Sequence, residues 1–197
     1  MDYTSQSQQV KIARSKKMML WFGIVSLSMM FGGLTSAYIV SSERKDWLHD
    51  FQLPQAFYIS TAIIILSSLS MLVAKRAISK ENNTLGTLAL VVTAILGIGF
   101  VIFQFKGFGE IVQEGYFFTG SQSNVTTSFI YAFVISHVIH VAAGILVLLV
   151  ILVQQLRGKY ASGQTLGLEL GATFWHFVDI LWIYLFLFFM FAEDIIH

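Results

Sequence analysis

Residues 169–193 read ELGATFWHFVDILWIYLFLFFMFAE. The run is long enough to cross a bilayer, which takes roughly 20 helical residues. Its first half nevertheless carries Glu169, His176 and Asp179. Ionisable groups at membrane depth are rare and mark a functional site by default. On a helix Trp175, Asp179 and Trp182 fall at i, i+4 and i+7 and share one face. Glu169, Thr173 and His176 form a second row of the same spacing. The spacing lets His176 and Asp179 either hydrogen-bond each other or point together at one neighbouring helix.

The rest of the chain has the same character. It has 197 residues, 56% of them hydrophobic and 12% charged. Soluble domains average about 25% charged residues, so composition alone excludes an ordinary soluble domain. The net charge of +1 gives no field that would draw nucleic acid. With no cysteine there are no disulfides, thiolate zinc sites or iron–sulfur clusters.

Five apolar segments are legible, at about residues 18–40, 56–74, 85–105, 126–156 and 170–192. Each is long enough for a helix to span a hydrocarbon core of about 30 Å. They lack the short alternating pattern of membrane β-strands, and a helix satisfies its own backbone in lipid. The fold class is therefore an all-α membrane protein, a bundle of five transmembrane helices. The first span is too long for a secretory h-region of about 7–15 residues. Residues 1–17 are polar and are expected to be a cytoplasmic tail, partly disordered or lying on the membrane surface. Residues 18–197 then form the membrane domain.

Orientation follows from Lys and Arg. Lys11, Arg14, Lys16, Lys17, Lys75, Arg76, Lys80, Arg157 and Lys159 fall on one side, against Arg44, Lys45 and Lys106 on the other. The richer side is expected to be cytoplasmic, which puts the N-terminus inside and the C-terminus outside.

Two further features bear on function. Gly32 with Ser36, and Gly33 with Ala37, are small-xxx-small pairs in the first span that let another helix approach closely. That helix belongs either to this chain or to a partner subunit. In the fourth span His137 and His140 are spaced i, i+3 and are expected to face the same way. Taking Ile130 as the outer boundary, His140 lies about ten residues, or ~15 Å, deep, similar to the depth of Asp179 counted from the inner boundary of the fifth span. Polar contact between the fourth and fifth spans is expected from this.

By residue type alone, three readings of the His137, His140, His176 and Asp179 constellation stay open. The groups are interhelical hydrogen-bond partners or line a polar pocket. Alternatively, imidazoles from two helices ligate haem or another metal. As a third case they form part of a proton path, although the first three spans lack an ionisable residue near mid-membrane. No nucleotide-binding or hydrolase motif occurs, and no inverted repeat of the transporter kind is apparent.

The residues Phe174-Trp175-His176-Phe177-Val178-Asp179 with Trp182 closely resemble the signature of subunit III of haem–copper respiratory oxidases. Glu169-Leu170-Gly171-Ala172 is similar to the Glu-x-Gly-Ala run that opens the family's last helix. His137-Val138-Ile139-His140-Val141-Ala142-Ala143-Gly144 resembles the His-x-x-His-Val-x-x-Gly stretch on the helix before it. Leu96-Gly97 with Gln104, and Ser41-Ser42 with Leu53-Pro54, suit the same pattern, and the resemblance runs from about Lys17 to the end.

It implies the short five-span bacterial form in a bacterial plasma membrane, as a non-catalytic subunit. No haem or copper is implied in this chain; both belong to partner subunits. Oxidase subunits I and II, membrane phospholipids and other respiratory complexes are the implied partners. Packing on subunit I, phospholipid binding, proton uptake and resistance to turnover inactivation are the implied roles. His137, His140, Glu169, Trp175, His176, Asp179 and Trp182 become an interhelical polar cluster or the lining of a lipid cleft. Two positions depart from the family pattern. No carboxylate stands in Ser26-Leu27-Ser28-Met29-Met30, and Phe105-Lys106-Gly107-Phe108 follows Gln104 without the usual Glu. The rivals are an accessory protein of nitric oxide reductase, a haem- or quinone-binding enzyme, and a proton-conducting transporter.

Overall fold

The computed structural model describes residues 3–44, 47, 54–113, 115, 125–160 and 165–196, with side chains for all of these except 3–7, 9 and 192–196. Five helices follow in order: α1 (Tyr3–Ser41), α2 (Gln55–Ser79), α3 (Asn83–Gln113), α4 (Val125–Leu156) and α5 (Leu166–Ile196). All five are long and apolar enough to cross a membrane, and the described residues contain no strand. The chain is an all-α, multi-pass membrane bundle.

The helices overrun the apolar segments. α1 has 39 residues, about 58 Å at 1.5 Å per residue. That exceeds a bilayer with its interfaces, about 40–45 Å, so the first turns of α1 project beyond it. The helix passes straight through the expected tail. α3 likewise continues past Phe105 to Gln113. Gly107 lies there against the Phe57 ring, 3.0 Å from where a Cβ would stand, and Phe108 stacks on Tyr131. These contacts carry the helix through Gly107 and Gly109, beyond the apolar segment that ends at residue 105. Residues 116–124, between the third and fourth apolar segments, lie outside the described residues, as do Leu53 and His197.

α2 and α3 form the tightest hairpin. Asn82 Oδ1 accepts from the Leu85 amide and caps the start of α3. Glu81 turns the chain at a φ of 61°, and Gly86 packs on Ile78. Ser67 and Ser70 donate to the backbone carbonyls of Thr93 and Ala89 across the pair. Hydroxyls on α2 thus bind the α3 backbone at carbonyls that already accept helical bonds.

α4 packs on α3 and α5, and α5 also packs on α2. α1 is the outlier. It touches α4 and α5 but not α2 or α3. Its inward stripe is Ile24, Phe31, Thr35 and Tyr38. Tyr38 sits edge-on to Trp47, Phe129 and Phe188. Aromatic side chains therefore do most of the joining at that end of the bundle.

Candidate functional site

The face of α5 predicted from i, i+4, i+7 spacing is the buried one. Trp175, Asp179 and Trp182 expose 1%, 2% and 1% of their surface. The two indoles act as rungs toward α2. Trp175 Nε1–H donates to Ser67 Oγ at 3.2 Å, and Trp182 Nε1–H donates to Thr61 Oγ1 at 2.9 Å. Each hydroxyl in turn donates to a backbone carbonyl, Thr93 for Ser67 and Phe57 for Thr61. Both indole protons are therefore satisfied away from water, as buried donors require.

Seating an indole at this depth needs room on the facing helices. Gly97 of α3 and Gly144 of α4 supply it. A Cβ at Gly97 would lie 2.7 Å from Trp175 Cη2, and one at Gly144 would lie 3.0 Å from Trp175 Cε3. The Trp175 ring is thus held between two glycine gaps. Trp182 packs against Phe57, Phe100 and His137, with ring centroids 5.9, 5.3 and 5.2 Å away.

The histidines divide. His137 is fully buried, edge-on to Phe100, and neither ring nitrogen has a partner among the described residues. His140 is half-buried, its Nδ1 lies 2.6 Å from the Ser136 carbonyl of its own helix, and its ring meets Phe31 of α1. An i, i+3 pair is separated by about 60° around a helix. That angle is enough here to send His137 toward α3 and α5 and His140 toward α1. The expected common direction is not realised.

His176 Nδ1 lies 2.7 Å from Ser68 Oγ of α2, and its Nε2 has no partner among the described residues. Asp179 also faces Ser68, but neither carboxylate oxygen makes a hydrogen bond of ordinary geometry among the described residues. His176 and Asp179 therefore point at one helix, α2, rather than bonding each other. Polar contact between α4 and α5, expected from their matched depths, is replaced by ring packing. The polar bonds of α5 run instead to α2 and, through Tyr184 and Thr35 at 3.0 Å, to α1.

Glu169 sits half-exposed at the start of the row and pairs with Lys17 of α1 at 2.9 Å. Thr173 donates to the Glu169 carbonyl. The row Glu169, Thr173, His176 runs between α1, reached by Glu169, and α2, reached by His176. Both partners of the ion pair are substantially exposed, at 51% and 40%. Such pairs contribute ~0–1 kcal/mol. Glu169→Gln is accordingly expected to move the thermal midpoint of the solubilised chain by no more than about 2–3 °C. A larger drop in a melting experiment would give Glu169 a structural role that this geometry does not.

Gly32, Gly33, Ser36 and Ala37 all lie exposed, and a Cβ at either glycine would meet nothing within 4 Å. Among the described residues they pack against none of this chain's own helices. Among the described residues no three His, Asp or Glu side chains converge in metal-binding geometry. Sequence reasoning named the α5 residues but not their partners. Thr61, Ser67 and Ser68 are hydroxyls that can bond either their own backbone or a neighbour, and nothing in α2 alone marks which of them an indole will reach. Gln104 of α3, which donates to Ser60 Oγ at 3.0 Å, is a further polar tie in the same layer.

Five membrane-length helices, with two buried indoles of the last hydrogen-bonded to the second, define a multi-pass, membrane-embedded class of protein. The family model described as cytochrome c oxidase subunit III matches residues 10–193, and the chain belongs to that family. It is 36% identical over 141 residues to a cytochrome c oxidase subunit 3 of Spodoptera frugiperda, covering 70% of this chain and 87% of that one. It is 29% identical over 190 residues to a cytochrome bo(3) ubiquinol oxidase subunit 3 of Buchnera aphidicola, covering 94% and 91%. Against the subunit 3 of Petromyzon marinus it is 32% identical over 143 residues, 71% of this chain but only 50% of the relative. The chain thus spans about half the length of some of its curated relatives.

Proposed function

We propose that this chain is a non-catalytic subunit III of a haem–copper terminal oxidase in an aerobic respiratory chain, seated in a bacterial plasma membrane. Oxidase subunits I and II are its partners, and haem and copper reside there. The observation that carries the reading is the family match over residues 10–193. The near end-to-end correspondence with the ubiquinol oxidase subunit supports the short five-span form. Relatives of both donor types match, so either cytochrome c or a quinol fits as electron source for the complex.

Two surfaces support the finer roles. The exposed Gly32, Gly33, Ser36 and Ala37 face of α1 is suited to close approach by a helix of subunit I. Glycine in a helix interior costs about 1 kcal/mol against alanine, a cost that close packing on a partner would offset. The second surface is the gap between α1 and α2, floored by Glu169, Thr173 and His176 of α5. Half-exposed polar groups there suit a phospholipid head group with its chains running along the gap. An exposed, basic end of the bundle close to this row is consistent with a part in proton uptake by the complex.

Gentle-detergent purification of the tagged chain, followed by mass spectrometry of what stays bound, tests the reading. Oxidase subunits I and II are expected in stoichiometric amounts. His176→Leu is expected to lower the recovered complex while leaving the haem spectrum of what remains unchanged. A stoichiometric Soret band from this chain purified alone would overturn the proposal.

A further inference from the structure

α1 is fastened at one end and loose at the other. Of its described side chains between Gln8 and Gly23 none is buried, whereas Ile24, Phe31, Thr35 and Tyr38 are. It buries 17% of its apolar span inside the protein, against 33–44% for the other four helices. The fastened end is dense. Tyr38 meets Phe129, Phe133, Phe188 and Phe189 edge-on, and the Tyr184 hydroxyl donates to Thr35 Oγ1 at 3.0 Å. The loose end has one polar tie among the described residues, Lys17 Nζ to Glu169 at 2.9 Å, with both side chains substantially exposed.

We propose that α1 is a strap hinged beside Phe31. Its Lys17 end swings away from the bundle when the Lys17–Glu169 pair parts, and this uncovers Glu169, Thr173 and His176 of α5.

Little opposes the swing. An exposed ion pair contributes little, and salt screens it. Lys75 of α2 is a second cation acting on the Glu169 carboxylate, so parting does not leave that charge alone. α1 touches neither α2 nor α3, so no packed interface breaks on that side. The loose arm faces hydrocarbon in either position, which removes the hydrophobic penalty that the same motion would carry in water.

The hinge has a chemical basis. Gly32 and Gly33 follow Phe31, with Ser36 one turn on, and helix bends concentrate at glycine and serine pairs. Neither glycine is wedged, since a Cβ at either would meet nothing within 4 Å. From Phe31 to Lys11 the arm is about 20 residues, or about 30 Å. A bend of about 10° therefore carries Lys11 about 5 Å sideways. Such an opening is local and lies below the free energy of global unfolding. It is compatible with the small effect on melting expected for Glu169→Gln.

The chain has no cysteine, so paired spin labels can be introduced without removing any native thiol. Ile12→Cys with Val153→Cys reads the loose end, and Val40→Cys with Ile135→Cys reads the fastened end, all four positions being exposed. Distances are measured by double electron–electron resonance on the full-length chain in nanodiscs. The first pair is expected to show two populations, the second about 5 Å longer than the first, and the Val40–Ile135 pair a single one. Adding Glu169→Gln, or raising salt to about 1 M, is expected to increase the longer population about two- to fivefold. Gly32→Ala with Gly33→Ala, where each Cβ has room, stiffens the hinge and is expected to reduce it. A single loose-end population that neither Glu169→Gln nor salt moves would overturn the strap. Equal broadening of both pairs would do so too, because α1 would then leave as a whole, and an alanine variant with an unchanged longer population would remove the hinge.

Discussion

Trp175→Ala is expected to lower the unfolding free energy of the detergent-solubilised chain by about 2–4 kcal/mol. In water a buried tryptophan truncation costs about 3–5 kcal/mol, part of it the transfer of apolar surface. Between membrane helices that transfer contribution shrinks, because lipid is as apolar as the core. What remains is lost contact and an unfilled cavity. Trp175 keeps both large: it is 1% exposed and sits between Gly97 and Gly144, neither of which has a side chain of its own to fill the space left. Trp175→Phe separates the contributions. It retains a ring but loses the indole N–H to Ser67, whose own bond to the Thr93 carbonyl survives. A loss of about 1–2 kcal/mol is expected, near the measured range for single polar contacts between membrane helices plus a small volume deficit. Denaturant or SDS titration followed by circular dichroism reads both values. Should Trp175→Ala cost under about 1 kcal/mol, the indole would not be the wedge that holds α5 against α2, α3 and α4.

Much of this was written in the residues. The five spans follow from length and polarity alone, because a bilayer permits so few solutions for the backbone. The inward face of α5 follows from the period of 3.6, and burial of Trp175, Asp179 and Trp182 agrees with it. Periodicity reports only which side of a helix is buried, however, and not which neighbour it meets. The partner of each polar group depends on how the helices rotate about one another. For that reason the bond from Trp182 to Thr61 could not be read from either helix. The same limit explains His137 and His140, where about 60° of arc decided between the core and α1. The extension of α3 past Phe105 was hidden for another reason. Glycine suggests a break by propensity, while Gly107 is there because Phe57 leaves no room for a side chain. Local preference yields to packing at such positions.

That distinction between glycine as breaker and glycine as gap makes Gly97 the sharper test. Gly97→Val places a branched side chain where a Cβ alone already approaches Trp175 Cη2 to 2.7 Å and Cζ2 to 3.0 Å. The obstructing atoms belong to a rigid, fully buried ring, not to the end of a flexible chain. Either the ring leaves its rotamer and breaks the bond to Ser67, or α3 moves off α5. Overpacking of this kind costs about 1–3 kcal/mol and can cost more. The upper end is expected here, because Gly144 bounds the ring on the opposite side at 3.0 Å. Phenylalanine at 175 lacks the part of the indole that reaches Gly97, so Trp175→Phe frees the space that valine needs. The double variant Gly97→Val with Trp175→Phe is therefore expected to be more stable than the sum of the single losses predicts, with a coupling of about 1 kcal/mol or more. Thermal or SDS unfolding of the four proteins in one detergent measures it. Strict additivity would mean that the valine strains something other than Trp175, and the close approach of α3 to α5 through that glycine would lose its role in seating the indole.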